Sequence, residues 1–185
     1  MKNKNVNAAN ALSASRLIFL PVLFLFVFLD MRISFLIGYI LLGSTDFFDG
    51  KVARKFNQVT ELGKSLDSIA DLVFYLSTAF FLYRLYPEYI LPNQYLLFSF
   101  FSVLFISFVV STIWCGKPIM MHTNILRFNA VLIYFLVVSS YFVDTTYFVA
   151  LILIIYLIGF IEEILIFVRY GQVDPDTTSI FKLMR

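Results

Sequence analysis

The chain has 185 residues, of which 61% are hydrophobic and only 14% charged, and its mean hydropathy is +0.88. Soluble domains average roughly 45 to 50% apolar and about 25% charged residues, so lipid must surround most of this chain. A single cysteine excludes an internal disulfide, and a formal net charge of +2 gives no indication of nucleic-acid binding. The composition therefore indicates a membrane protein.

About six stretches are apolar and long enough to cross a membrane as helices, since ~20 residues span ~30 Å of hydrocarbon. They lie near residues 14–30, 33–54, 64–86, 94–114, 127–143 and 146–169. Pro87, Pro92, Gly116 and Pro118 fall between stretches, where helix breakers are expected. We predict an all-α polytopic protein with about six transmembrane helices and a single domain over residues 1–185. The first helix is predicted to be retained, because no signal-peptide cleavage site follows it.

The basic residues predict the orientation of these helices. If six helices cross the membrane in turn, all but Arg32 and Arg84 of the 14 Lys and Arg residues lie on the side of the N-terminus. Short loops rich in Lys and Arg are usually cytoplasmic. We therefore expect both termini to face the cytoplasm, in the inner membrane of the cell.

Four aspartates form the most informative pattern in the chain. Asp46 and Asp49 are three residues apart, and Asp67 and Asp71 are four apart, so each pair lies on one helical stripe. If residues 55–62 let the two helices return antiparallel, all four carboxylates can converge. They would repel one another unless a cation intervened. Oxygen-only donors select Mg²⁺ or Mn²⁺, and four carboxylates carry enough charge for two ions, a pairing typical of phosphate chemistry.

Small and basic residues accompany the aspartates. Gly50, Ala53 and Gly63 lie on the same stripes, where they leave room for a phosphorylated ligand or for close packing of two helices. Arg54 lies about one turn beyond Asp49, where its guanidinium group can bind a phosphate.

The whole segment resembles the signature of the CDP-alcohol phosphatidyltransferases. That signature is D-x-x-D-G-x-x-A-R, eight residues, then G-x-x-x-D-x-x-x-D, and the chain matches every fixed position from Asp46 to Asp71. A second run, Asn10-Ala-Leu-Ser13-Ala-Ser-Arg16, is similar to the N-x-L-T-x-x-R run with which many members open. Serine replaces threonine there and keeps the hydroxyl group.

The resemblance implies transfer of a phosphatidyl group from CDP-diacylglycerol to a small polar alcohol in the bilayer, with release of CMP and with two Mg²⁺ or Mn²⁺ ions. It implies that Asp46, Asp49, Asp67 and Asp71 bind the metals and that Asp71 is also the general base. The residues implied or considered for CDP-lipid binding are Asn10, Ser13, Gly50, Ala53, Arg54, Thr60 and Gly63.

The acceptor alcohol stays open among inositol or inositol phosphate, serine and glycerol 3-phosphate. Members that use glycerol 3-phosphate are expected to carry an S-R-E-like run, whereas this chain reads Ser111-Thr-Ile-Trp-Cys-Gly-Lys-Pro. Lys117, His122 and Arg127 are candidates for binding the acceptor, because their positive charge can hold a phosphate or hydroxyl group. The oligomeric state also stays open, with a homodimer considered.

The alternative function is a carboxylate-lined cation transporter, since acids inside membranes often mark ion paths. It is disfavoured because the four aspartates cluster at one membrane face. Glu162 and Glu163, near the end of the last span, are expected to form a solvated face, and the tail Asp174-Pro-Asp-Thr-Thr is expected to be a solvated end.

Overall fold

The computed structural model describes residues 8–55, 61–121, 123–175 and 177–184; the side chains of residues 8–10, 46–55, 61, 62, 64 and 65 lie outside that description. The described residues are helical, with no strand, which confirms the all-α prediction. The elements are α1 (Ala8–Phe28), α2 (Arg32–Lys55), α3 (Glu61–Leu85), α4 (Pro87–Ile90), a 3₁₀ turn (Leu91–Asn93), α5 (Gln94–Cys115), α6 (Asn124–Ser139), α7 (Thr146–Tyr170) and α8 (Ile180–Leu183).

Each of the six predicted apolar stretches forms a helix. Among the described residues, four segments are long and apolar enough to cross a membrane: Ala11–Phe28, Leu66–Leu85, Pro87–Cys115 and Thr146–Tyr170. The apolar parts of α2 and α6, Arg32–Thr45 and Asn124–Ser139, are shorter. The chain is therefore a polytopic membrane protein. Its connection at residues 86–93 is short helical structure rather than an irregular loop.

The chain divides into two compact units, Met1–Leu85 and Tyr86–Arg185, and the single-domain prediction stays a prediction. In the first unit, α1 packs against both α2 and α3. Each of these helices buries apolar residues at helical spacing, which is the pattern of one face turned to its neighbours. The buried apolar residues are Leu20, Leu23 and Val27 on α1, Phe35, Tyr39 and Leu42 on α2, and Ala70, Phe74, Phe81, Leu82 and Leu85 on α3.

Aromatic rings fill the space between α2 and α3. Tyr39 stacks on Phe74 with ring centroids 5.2 Å apart, and Phe35 meets Phe81 edge-on at 5.1 Å. The hydroxyl groups of Tyr39 and Thr78 are 3.1 Å apart and share a hydrogen bond. This buried contact satisfies two polar groups at a depth where water is scarce.

The second unit is built around α7, which packs against α5 and α6. Two buried asparagines bond to the α7 backbone: Asn129 Nδ2 donates to the Ile152 carbonyl oxygen at 3.0 Å, and Asn93 Nδ2 donates to that of Thr146 at 2.9 Å. α5 ends at Gly116, whose φ of 74° lies in the left-handed region that favours glycine.

The tail is solvated only at its start: Asp174 and Pro175 are exposed, as expected, but the expectation is wrong for the two threonines. Thr177 is buried, and the carbonyl oxygen of Thr178 accepts a hydrogen bond of 2.9 Å from the backbone N–H of Asn124. Ile180 and Leu183 pack against the cluster of Ile119, Met121, Ile166 and Phe167. The tail is ordered because its apolar residues cover the buried end of the second unit.

Candidate active site

Two of the four signature aspartates have described side chains, and both lie on α3. Asp67 and Asp71 are one helical turn apart, so their carboxylates project from the same face. The Asp67 side chain is 36% exposed and that of Asp71 is 14% exposed. They lie in the first two turns of the apolar span Leu66–Leu85, next to the polar start of α3, where charged groups can keep contact with water.

A buried arginine on α1 joins these two carboxylates. The guanidinium group of Arg16, only 1% exposed, donates from Nη2 to Asp67 Oδ1 at 2.5 Å and from Nη1 to Asp71 Oδ1. Ser13 Oγ, one turn earlier on α1, donates to the same Asp67 oxygen at 3.2 Å. The run that opens the chain and the second half of the aspartate signature therefore form one polar cluster.

The local sequence explains this arrangement. Ser13 and Arg16 are three residues apart and thus lie on one face of α1, followed on that face by buried Leu20 and Leu23. Burying a guanidinium group is costly unless carboxylates pair with it. A forked guanidinium with two nitrogens facing outward suits two carboxylates one turn apart.

The cluster fits the requirements of a divalent cation in its donor chemistry. Asp67 and Asp71 already converge on one positive group, which shows that their carboxylates can face a common cation. They offer only oxygen donors, the type that Mg²⁺ and Mn²⁺ prefer. Within the described part of the chain, no group of three or more metal-binding side chains occurs.

The remaining predicted residues fall in three places. Gly63 lies at the start of α3 and is half-buried. Lys117 and Arg127 are exposed residues of the second unit, Lys117 just after α5 and Arg127 in the first turn of α6. Thr60 and His122 lie outside the described residues, and the backbone but not the side chains is described for Asn10, Asp46, Asp49, Gly50, Ala53 and Arg54.

Sequence reasoning missed the contacts of Arg16 and misjudged two glutamates. Arg16 was noted as part of the opening run but was not predicted to contact the aspartates. Glu163 is 1% exposed, and Glu162 is half-buried with its Oε2 atom buried, so the expectation of a solvated glutamate face is wrong. The available signal was position, because Arg16 and Glu163 both stand within long apolar runs, where ionisable residues often have a role.

A family model for the CDP-alcohol phosphatidyltransferases matches residues 6–170, which cover most of both units and the whole polar cluster. The chain belongs to this family.

Curated relatives match over a shorter stretch. A CDP-diacylglycerol–glycerol-3-phosphate 3-phosphatidyltransferase of Aquifex aeolicus is 46% identical over 69 residues, 37% of this chain and 39% of the relative. A CDP-diacylglycerol–serine O-phosphatidyltransferase of Bacillus subtilis is 64% identical over 28 residues, 15% and 16% of the two chains. A CDP-diacylglycerol–inositol 3-phosphatidyltransferase of Candida albicans is 44% identical over 57 residues, 31% and 25%. The matched part thus spans less than half of each relative, and no solved structure matches the chain.

Proposed function

We propose that the protein transfers a phosphatidyl group from CDP-diacylglycerol to a small polar alcohol and releases CMP. The observation that carries the proposal is the cluster of Ser13, Arg16, Asp67 and Asp71, in which the two family sequence runs meet through direct contacts. Family membership and the names of the relatives support the reaction type. The membrane helices suit a lipid donor that stays in the bilayer.

The proposed roles of the aspartates are metal binding and proton transfer. Asp46, Asp49, Asp67 and Asp71 would hold two Mg²⁺ or Mn²⁺ ions, which when bound supply positive charge against the donor diphosphate. Asp71 takes the proton from the acceptor hydroxyl as its oxygen attacks the phosphorus next to the diacylglycerol. The new P–O bond forms as the bond to CMP breaks. Asn10, Ser13, Gly50, Ala53, Arg54, Thr60 and Gly63 are proposed to contact the CDP-lipid.

The acceptor is proposed to be bound by Lys117, His122 and Arg127. The exposed positive charges of Lys117 and Arg127 favour an acceptor that carries a phosphate group. The relatives do not select one acceptor, because their names specify glycerol 3-phosphate, serine and inositol. The proposed acceptors are therefore sn-glycerol 3-phosphate, serine, inositol and inositol phosphate. A homodimer in the inner membrane, with the site facing the cytoplasm, is part of the proposal.

The test is CMP release by purified protein in detergent micelles that contain CDP-diacylglycerol. Each of the four alcohols is added separately with Mg²⁺ or Mn²⁺, and EDTA provides the metal-free control. We expect release that depends on one alcohol and on the metal. Asp71→Asn is the inactive variant, and Asp144→Asn is its matched control, because Asp144 is an exposed aspartate in the connection before α7.

The same preparation addresses the alternative of a cation transporter. Protein reconstituted in liposomes is assayed for uptake of Mn²⁺ in the absence of CDP-diacylglycerol. Metal uptake that Asp67→Asn abolishes, together with no CMP release from any alcohol, would overturn the proposed transferase in favour of transport.

A further inference from the structure

Two adjacent glutamates in α7 stand out among the charged residues of the second unit. Glu163 is 1% exposed and lies two turns before the end of a membrane-spanning helix. Burying a carboxylate costs free energy unless hydrogen bonds compensate, and ionisable groups inside membrane helices commonly serve a function. None of the proposed steps of the reaction uses Glu162 or Glu163, so their role needs another explanation.

Each glutamate accepts a hydrogen bond from the backbone of a different, distant segment. Glu163 Oε1 accepts the N–H of Met121 at 2.9 Å, and Glu162 Oε1 accepts the N–H of Ile180 at 3.0 Å. Met121 belongs to the connection between α5 and α6, residues 116–123, whereas Ile180 begins α8 in the tail. Two neighbouring carboxylates of α7 therefore fix two separate segments to the same end of the unit.

Further contacts hold Ile119 and Met121, two residues of this connection, against the rest of the second unit. Ser111 Oγ accepts the N–H of Ile119 at 3.1 Å, and the side chains of Ile119 and Met121 are buried against Ile166 and Phe167. Among the described residues, the second oxygen of Glu163, Oε2, is buried without a hydrogen-bond partner. The carboxyl group therefore contacts the Met121 backbone, with the Ser107 side chain of α5 nearby.

We propose that Glu163 is a positioning residue for the acceptor site. Glu162 holds the tail in place in the same way, through the N–H of Ile180. Through Met121, Glu163 fixes the connection that bears Lys117 and leads through His122 to the start of α6, which bears Arg127. Lys117 lies within this connection, and Arg127 lies in the first turn of the helix that follows it. The inference rests on the proposed function, since it assigns the connection to acceptor binding.

Cysteine labelling measures the two attachments without reference to catalysis. Cys115 is the sole cysteine of the sequence, so a Cys115→Ser background leaves only an introduced thiol. Met121→Cys reports on the connection and Thr177→Cys on the tail, because both positions are buried. Glu163→Met and Glu162→Met are matched variants that keep side-chain length but cannot accept the N–H, and a water-soluble maleimide is the probe.

We expect Glu163→Met to raise labelling at Met121→Cys about tenfold, because loss of one buried hydrogen bond shifts local opening by up to about that factor. Labelling at Thr177→Cys should change at most about threefold, since the tail is linked to the connection through the bond from Asn124 to Thr178. Glu162→Met should give the opposite pattern. Glu163→Gln keeps an accepting oxygen and should label like the parent.

Enzyme kinetics then connect the attachment to acceptor binding. CMP release is measured against sn-glycerol 3-phosphate, serine, inositol or inositol phosphate, whichever the parent uses, and against CDP-diacylglycerol. Glu163→Met should raise the KM of the alcohol about tenfold and change the KM of CDP-diacylglycerol less than about twofold. Glu163→Gln should restore the alcohol KM.

The outcomes separate the two proposals. Equal increases in labelling at both positions in Glu163→Met would indicate general loosening and overturn the positioning role. An unchanged alcohol KM despite increased labelling at Met121→Cys would overturn it as well. Absence of CMP release in the parent protein would instead contradict the proposed function, while the labelling still decides whether Glu163 holds the connection.

Discussion

Arg16 links two parts of the chain that the sequence separates by about fifty residues. It is buried, and its guanidinium group pairs with Asp67 and Asp71, the second of which is the proposed general base. Such an arginine holds the two carboxylates at a fixed separation, because its two terminal nitrogens have a rigid geometry. Arg16 therefore determines where the proposed base lies relative to its neighbour.

Replacing Arg16 should destabilise the first unit. Arg16→Met removes one partner of a buried ion pair, which costs about 3 kcal/mol, the lower end of the usual range because Asp67 keeps contact with solvent. Arg16→Lys keeps the charge but lacks the forked guanidinium group, so its stability should lie between that of the parent protein and that of Arg16→Met. Thermal unfolding in detergent with EDTA measures the effect. Arg32→Met is the control, because the Arg32–Asp30 pair is exposed and should contribute little; equal melting temperatures for Arg16→Met and Arg32→Met would contradict the prediction.

Asp67 and Asp71 should respond differently to the same substitution. Asp71→Asn keeps size and one oxygen but removes basicity, so transfer should fall by ~10² to 10⁴ while CDP-lipid binding survives. Asp67→Asn should weaken metal-dependent donor binding as well. Turnover and CDP-diacylglycerol binding are compared at saturating Mg²⁺ or Mn²⁺. Near-normal turnover in Asp71→Asn would show that another group takes the proton.

For individual residues, the sequence predicted which side chains belong to the candidate site better than it predicted which side chains contact one another. The spacing of Asp67 and Asp71 correctly placed both carboxylates on one helix face, since that follows from helical geometry alone. It could not predict that Arg16 would reach them, because the pairing depends on how α1 packs against α3. Glu163 was misjudged for the same reason: its partner, the Met121 backbone, is brought to it only by tertiary structure.

Among the elements, α1 and α2 pack closely at Gly38. A methyl group at this position would lie 2.8 Å from Leu23 Cδ2 on α1, closer than ordinary contacts allow. Gly38 is therefore part of the packing that holds α1, and with it Ser13 and Arg16, in place. Small residues commonly serve this purpose between membrane helices.

Gly38→Ala should destabilise the first unit by about 1 kcal/mol, because the ~1 to 3 kcal/mol cost of overpacking is partly offset by the ~1 kcal/mol that alanine gains over glycine in a helix. The clash is with the end of one side chain, so the double variant Gly38→Ala with Leu23→Ala should lose less stability than the two single variants added together. Melting temperatures in detergent, measured for all four proteins of this cycle, give the coupling. Strictly additive losses of stability would show that the cost of Gly38→Ala does not come from its contact with Leu23.

The helices were predictable because an apolar stretch that is long enough to cross the membrane forms a helix. The six apolar stretches became helices with ends within several residues of those predicted, since lipid leaves a spanning chain few other structures. The connections were less predictable. Residues 86–93 form short helical turns and the tail packs on the second unit, and in both cases buried contacts such as those of Ile90 and Ile180 decide the structure.

For the whole molecule, topology depends on whether α2 and α6 cross the membrane. The apolar part of α2, Arg32–Thr45, is short, but the full helix has 24 residues and is ~36 Å long at 1.5 Å per residue. α6 has 16 residues and is ~24 Å long. It can cross the membrane only if the bilayer is locally thinner or if its flanking turns complete the span. If both cross, the ends of α2, α5 and α7 share the side of the N-terminus.

We predict that this shared side is the cytoplasm, because all basic residues except Arg32 and Arg84 then lie there. Lys55→Cys at the end of α2 and Arg84→Cys near the end of α3 are compared in a Cys115→Ser background, in intact cells and in inverted membrane vesicles. A membrane-impermeant maleimide should label Lys55→Cys only in inverted vesicles and Arg84→Cys only in intact cells. Labelling of both cysteines from the same side would mean that α3 does not cross the membrane. Labelling of Lys55→Cys from outside would show that the orientation is opposite to the predicted one, and it would remove the cytoplasmic position of the proposed active site.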